Sequence, residues 1–345
     1  TFTNGKTFVY KMKNATDWQA GGEYTYTVSL AAAKDPGYTI EDDGSYTVTS
    51  ADGLMTVAEL VNGGKTDINI TLGENIDLTG KGWTPIGTNY EKRYKGTFDG
   101  RGHTIKGLTV TTNDQFVGLF GYLDKAGTVK NVVMEGIQIT SNHVLMSGNT
   151  GGVVGYSWGT IENCSVSGSV SGTNCVGGVV GSQKAGSIIG CSSSAIVKGT
   201  RYVGGVAGEK WGTMTACYAT GNVTLEIGSQ NNLSGGGVVG LSGGNRVLAC
   251  YAIGNVNSKG GSTGNVHIGG LLGDNYTAVT ACYWKNNQEQ GFGSNQHSTA
   301  PEATKVDGTT VTWKNAVDDM NTALQNAGSV WRYELNGALP TLRKQ

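Results

Sequence analysis

Apolar residues in the middle of the chain come in pairs and triplets between glycines and small polar residues, without the three- and four-residue spacing of a helix. The run Gly151-Gly152-Val153-Val154-Gly155 returns as Gly177-Gly178-Val179-Val180-Gly181, Gly204-Gly205-Val206-Ala207-Gly208, Gly236-Gly237-Val238-Val239-Gly240 and Gly269-Gly270-Leu271-Leu272-Gly273. Val117-Gly118-Leu119-Phe120-Gly121 is an earlier relative, and successive copies follow at intervals of 26 to 34 residues. Each copy continues in one order: a glycine turn, a short apolar run, a cysteine, then a strand of small residues ending in Gly-x-Val. The stretches Gly159 to Val170 and Gly212 to Val223 show the pattern side by side. One unit therefore predicts about three short strands and three turns, with no room for a crossover helix.

A single unit of this kind cannot bury its apolar face, whereas stacked units share one continuous core. The pattern predicts an all-β parallel β-helix with neighbouring coils ~4.8 Å apart, so that equivalent residues form ladders. The usual chirality of parallel crossovers makes it right-handed. Upstream, Asp67 to Leu72 and Asn75 to Leu78 alternate as strands, and Gly96 to Val110 reads as two strands around an Asp-Gly turn. Ser50 to Asn62 has a capping serine or aspartate before a short amphipathic helix, expected to plug the N-terminal end of the solenoid. Asn315 to Ala327, closed by Gly328, is a second helix, and Trp331 to Leu335 adds a strand. Residues 1–49 carry Tyr-Thr-Tyr-Thr-Val alternation without the repeat, and read as an antiparallel β segment left from a preceding domain or packed as an arm. The expected division is 1–49, the solenoid over 50–300, and a C-terminal cap over 301–345.

At these Gly-Leu/Val-x-Gly positions, from Gly118-Leu119-Phe120-Gly121 to Gly270-Leu271-Leu272-Gly273, the chain resembles the GLUG-repeat proteins, a family named after the motif and mostly regarded as bacterial surface adhesins. Trp83-Thr84-Pro85-Ile86-Gly87 and Phe98 to Leu108 resemble that family too, so the likeness covers roughly residues 50 to 340. Gly21 to Val28 (GGEYTYTV) is similar to the last strand of fimbrillin-like domains. The resemblance implies an exported protein held at the cell surface or outer membrane, anchored through a segment before this one. It supplies no catalytic residue, because the motif consists of structural glycines.

Composition agrees with a turn-rich β chain: 57 glycines, 4 prolines and only 15% charged residues. A formal net charge of −1 without a basic stripe gives nucleic acid and anionic membranes no purchase, and no apolar run approaches the ~20 residues of a membrane span. Thr1 in place of an initiator methionine suggests a processed form of an exported precursor. Five of the six cysteines, Cys164, Cys191, Cys217, Cys250 and Cys282, share one register and are expected to pack as free buried thiols; Cys175 lies outside it. Four histidines and no C-x-x-C give no support for zinc, and no cofactor is expected.

Two patterns bear on catalysis. GYSWG (155–159) fits the nucleophile elbow G-x-S-x-G, but so does GLSGG (240–244) at the same point of its own repeat. An elbow needs a strand-to-helix turn and a histidine base, and here the turn runs from strand to strand, so Ser157 reads as a small residue in a bend. A polysaccharide lyase or glycosidase needs clustered carboxylates. Only Glu209 and Asp274 share a ladder, two coils or ~10 Å apart, and Asp99 with Asp77 or Asp114 is explained more simply by turns. No catalytic residue is assigned.

The aromatics carry more. Trp158, Trp211 and Tyr276 occupy one register on alternate coils, with Lys184 and Gly243 between, and Tyr122 and Tyr156 stand two residues earlier in theirs. If they face solvent, rings ~10 Å apart could stack on alternate sugars of an extended glycan; the alternative is that they merely cover the turns. Trp158, Trp211, Tyr276 and Tyr156 are therefore the candidate ligand-binding residues of an adhesin whose partner is a glycan or protein. A β-helical polysaccharide-degrading enzyme and a structural stalk are the competing readings.

Overall fold

The computed structural model describes residues 35–144, 147–227, 231–261 and 264–345. The fimbrillin-like stretch at 21–28 lies outside them. The described chain coils as a parallel β-helix. Each coil runs along four faces where the repeat predicted three strands, and carries four strands, or five where the second-face strand is split in two. In one coil these are Thr160–Glu162, Ser165–Ser171, Cys175–Gly177 and Val180–Gln183, and they belong to a first, second, third and fourth face. The extra corner lies inside the glycine motif, where Gly177-Gly178-Val179 folds the chain back between the third and fourth faces. Ten strands stack on the first face, thirteen on the second, six on the third and seven on the fourth.

Strict register follows from the repeat. On the first face Phe98, Val129, Ile161, Ile188, Met214, Val247 and Val279 stand one above another, all buried. With the buried cysteine ladder and the paired valines of each glycine motif they fill one continuous core. All six cysteines are free and buried, and burial pushes the Cys164 and Cys217 thiols up, keeping them neutral and inert. The glycines at the two ends of each motif let the third and fourth faces touch backbone to backbone. A Cβ on Gly181 would lie 2.5 Å from the Thr150 nitrogen and 2.6 Å from the Gly155 carbonyl oxygen.

Both ends of the solenoid are built from local signals. Tyr38–Ile40 and Tyr46–Val48 pair antiparallel, and the second of these then pairs in parallel with Ile70–Leu72, so this hairpin begins the first face. Between them α1 (Ala51–Asn62) starts at Ser50, whose hydroxyl accepts from the Gly53 N–H at 3.1 Å. Its Leu54, Val57, Ala58 and Val61, at helical spacing, join the core against Val48 and Ile70.

The C-terminal segment reaches further. The second helix, α2 (Trp313–Asn326), is capped by a Thr312/Asn315 box and followed by an antiparallel hairpin of Trp331–Asn336 and Leu339–Lys344. Their apolar faces lie along the outside of the tube, at the corner between first and second faces. They form there a second cluster with Ala216, Leu248, Ala249, Tyr251, Ala281 and Tyr283. The Tyr333 hydroxyl donates to the Ala249 carbonyl at 2.9 Å, and Lys344 reaches Glu162 at 2.8 Å.

Candidate functional site

Where the third-face strands begin and the fourth-face strands end, outward side chains of the two faces meet along a groove parallel to the solenoid axis. One wall is the ladder Phe116, Asn149, Cys175, Tyr202, Ser234, His267. The other is Tyr122, Tyr156, Ser182, Glu209, Leu241, Asp274. Contacts across the groove tie the walls together: Phe116 to Tyr156 with ring centroids 5.3 Å apart, the Cys175 thiol to Glu209 at 3.7 Å, and His267 Nδ1 to Asp274 at 2.5 Å.

The N-terminal part of the groove is aromatic. Tyr90, Phe116, Tyr122 and Tyr156 pack edge-on or tilted around one another at centroid distances of 4.9 to 6.1 Å. Burial pushes the Tyr122 and Tyr156 phenols up, with hydrogen bonding from the Trp158 side chain pulling the other way. Next to this cluster opens a cavity of about 630 Å³, lined by its rings together with Asn149, Asn174, Lys184, Arg201, Tyr202 and Glu209.

Electrostatics in the cavity are organised by Glu209. Its carboxylate accepts from Lys184 Nζ at 2.6 Å, the Trp211 indole N–H at 2.7 Å and the Ser182 hydroxyl at 2.8 Å. Burial alone would raise its pKa, but these three donors outweigh burial and hold it below the usual carboxylate range. Arg201 lies over the Tyr202 ring at 4.5 Å from its centroid and bonds the Asn174 side-chain oxygen at 3.4 Å, while its Nε has no partner.

The four residues expected to bind ligand fall into two places. Trp158, Trp211 and Tyr276 stand in one register, since their N–H groups donate to the Leu123, Gln183 and Ser242 carbonyls in equivalent positions, with Lys184 and Gly243 on the coils between. They are 41%, 43% and 50% exposed. Trp158 borders a second cavity of about 230 Å³ with Tyr90, Arg93, Tyr122 and Asp124, and the Trp211 ring lies over Gly243. Tyr156 is half-buried in the groove itself. Tyr218, Tyr251 and Tyr283, which follow the ladder cysteines, belong to the opposite flank, where Tyr218 and Tyr251 stack at 4.9 Å.

The sequence pattern did not single out Arg201, Phe116 or Tyr202. A usable signal existed: Asn149, Cys175, Tyr202, Ser234 and His267 each stand three residues before the second glycine of their motif. The varied chemistry at that position hid its shared place in the groove.

The nucleophile motif resolves differently. Ser157 and Ser242 are fully buried and face the interior, where the Ser157 hydroxyl accepts from the Gly159 N–H at 3.2 Å. The fold does bring a serine, a histidine and an aspartate together elsewhere, as Ser234 sits one coil from His267, which pairs with Asp274. The Ser234 hydroxyl is buried and donates to the Gly240 carbonyl at 2.9 Å, so it is not poised on the histidine. Asp99 is engaged by the Arg101 N–H, the Asn131 amide and Lys130, and Asp77 by the Thr79 N–H, as turn residues are.

The GLUG motif description matches residues 146–171, which span one third-face strand, one fourth-face strand and the start of the next coil. The chain carries the GLUG motif. Two relatives are similar to this chain in sequence. One is Halomucin from Haloquadratum walsbyi, 37% identical over 125 residues, which cover 33% of this chain and 1% of that protein. The other is named "Putative Gly-rich membrane protein", from Evansella cellulosilytica, 33% identical over 103 residues covering 27% of this chain and 11% of that protein. The matched segments are thus a small part of both relatives. Among solved structures, this chain is similar to one described as "a putative immunoglobulin A1 protease from Bacteroides ovatus", with a TM-score of 0.65 at 19% identity over 88% of this chain and 93% of that one. At that identity the likeness is one of fold. GLUG motif and β-helix together fit a surface or binding protein, and no helix among the described residues is long and apolar enough to cross a membrane.

Proposed function

We propose that the chain is a non-catalytic binding scaffold of the cell surface, an adhesin whose ligand is an extended glycan lying along the groove and its exposed aromatic ladder. The observation that carries this reading is the placement of Trp158, Trp211 and Tyr276 in one solvent-facing register beside a cavity walled by Tyr90, Phe116, Tyr122 and Tyr156. Rings repeated every second coil, ~10 Å apart, suit the apolar faces of alternate sugars in an extended chain. The acids of the groove are engaged, Glu209 with Lys184 and Asp274 with His267, which favours recognition over glycosidic cleavage by a free carboxylate pair. Surface residence is supported by the motif and by the membrane-protein name of one relative.

A glycan array tests this. Specific hits are expected, weakened about tenfold in Trp158→Ala and in Trp211→Ala, as for the loss of one stacking ring. Hits unchanged in both variants would remove the ladder from the site, and an array without hits would leave the structural stalk as the better reading.

A further inference from the structure

The charges around the cavity do not cancel. Its lining holds two cations, Lys184 and Arg201, and one acid, Glu209. Glu209 is committed to Lys184 at 2.6 Å and to two neutral donors. Among the described residues Arg201 forms no ion pair; its guanidinium makes one long hydrogen bond to a neutral amide, and its Nε is left without a partner. Such an arrangement is costly, since a half-buried guanidinium whose Nε has no protein partner has given up hydration without a protein counter-charge. Stacking on Tyr202 holds its plane in place, so the fork is positioned before any ligand arrives.

Around this cation stand groups that suit a sugar. Tyr156 and Tyr202 offer ring faces, and the side-chain amides of Asn149, Asn174 and Gln115 offer donors and acceptors for hydroxyls. A volume of about 630 Å³ lies within the ~300 to 1,000 Å³ range that encloses small-molecule ligands.

We propose that this cavity is the subsite of the groove for an acidic sugar, with the ligand carboxylate on the Arg201 guanidinium and the sugar ring between Tyr156 and Tyr202. This rests on the glycan reading above and adds to it a charge selection: the site prefers a uronic or sialic acid unit over its neutral counterpart. Arginine rather than lysine fits that task, because its planar fork can take both carboxylate oxygens while lysine presents a single point charge.

Isothermal titration calorimetry with two matched pairs of probes decides it: an oligogalacturonide against the same oligomer after carboxyl reduction, and sialyllactose against lactose. The acidic member of at least one pair is expected to bind tenfold or more tighter, about the value of one charge-assisted bidentate contact. In Arg201→Gln the ratio of acidic to neutral affinity should fall to about one, read as a ratio within the variant because Arg201 also touches Tyr202 and Asn174. Equal binding of acidic and neutral members to the wild type overturns the acidic subsite and leaves the glycan reading standing. Binding of neither member, together with an array without hits, overturns both. Should Arg201→Gln fail to fold by circular dichroism, the wild-type comparison of reduced and unreduced oligomer still separates these outcomes.

Discussion

Two outer corners of the same solenoid are treated in opposite ways. At the corner between first and second faces the chain lays its own C-terminal helix and hairpin over the coils; where the third-face strands begin and the fourth-face strands end it leaves a groove open. The residues explain the choice. At the covered corner the backbone turns through left-handed conformations at Asn131, Asn163, Gly190, Ala216, Ala249 and Ala281. The first two lie beyond the apolar strap and form an amide ladder, Asn163 donating to Asn131 at 2.8 Å and Asn131 to Asp99 at 2.9 Å. The three alanines lie under the strap, where an amide would be buried without partners and a methyl group fills space. Alanine pays about 1–2 kcal/mol in that backbone conformation, which the packing of Trp331, Tyr333 and Met320 offsets.

The interior follows the same division. Behind the covered corner runs the cysteine ladder, apolar and inert. Behind the groove runs a polar one: Ser157, Gln183, Lys210, Ser242 and Asn275, all fully buried. Lys210 donates to the Asn245 carbonyl and lies 3.4 Å from the Ser242 hydroxyl, while neither atom of the Gln183 amide finds a protein partner. An apolar corner is stabilised by covering it. The groove side carries polar groups inside and out, and those left without partners cost stability.

The sharpest way to break this contrast is to remove the strap's anchor. Trp331→Ala should lower the free energy of unfolding in urea by about 3–5 kcal/mol, since a buried tryptophan is lost from the second cluster. A loss under about 1 kcal/mol would mean that the strap merely rests on the tube. Gly190→Ala comes next, at about 2–3 kcal/mol, because φ is +63° there and the new Cβ would lie 2.5 Å from the Trp331 ring. In the double variant with Trp331→Ala the steric part should vanish, so the two effects should add to less than their sum.

On the groove side the sign reverses. Burial pushes the Lys210 ammonium down to about 7, so between about pH 7 and 10.4 the unfolded chain binds more protons than the folded one. Stability should therefore rise with pH across that window and level off below it. Lys210→Met should stabilise the protein by about 1–3 kcal/mol at pH 7 and flatten the rise, measured as the difference between the two urea-unfolding series from pH 6 to 10. A destabilised variant with an unchanged pH profile would show that the interior lysine is better satisfied than its neighbours indicate. The smallest effect is expected at Gly243→Ala, whose Cβ would come 2.9 Å from the Trp211 ring. Displacing that ring should weaken glycan binding by about 0.5–1 kcal/mol with little change in stability.

Much of this protein was legible before folding was considered. Because the glycine motif recurs, residue offsets translate into ladders, and the Trp158, Trp211 and Tyr276 register and the cysteine ladder could be written down from spacing. The helices were visible at Ser50 and near Asn315 for local reasons of capping and periodicity. The fourth strand of each coil was hidden because its corner falls within the motif itself, where two glycines read equally well as one turn. Arg201 and Tyr202 escaped because their positions hold different residue types from coil to coil, Asn149, Cys175, Ser234 and His267 standing where Tyr202 stands, so no repeated chemistry marked the groove wall.

By itself the sequence determined that the chain coils, how residues stack from coil to coil and which of them are interior, because a repeat forces equivalent residues into equivalent surroundings. The tertiary structure alone decided which corner is sealed and which stays open. That choice depends on residues 313–344 meeting residues 162–283 across the outside of the tube, a match of surface shape and polarity that no local pattern encodes.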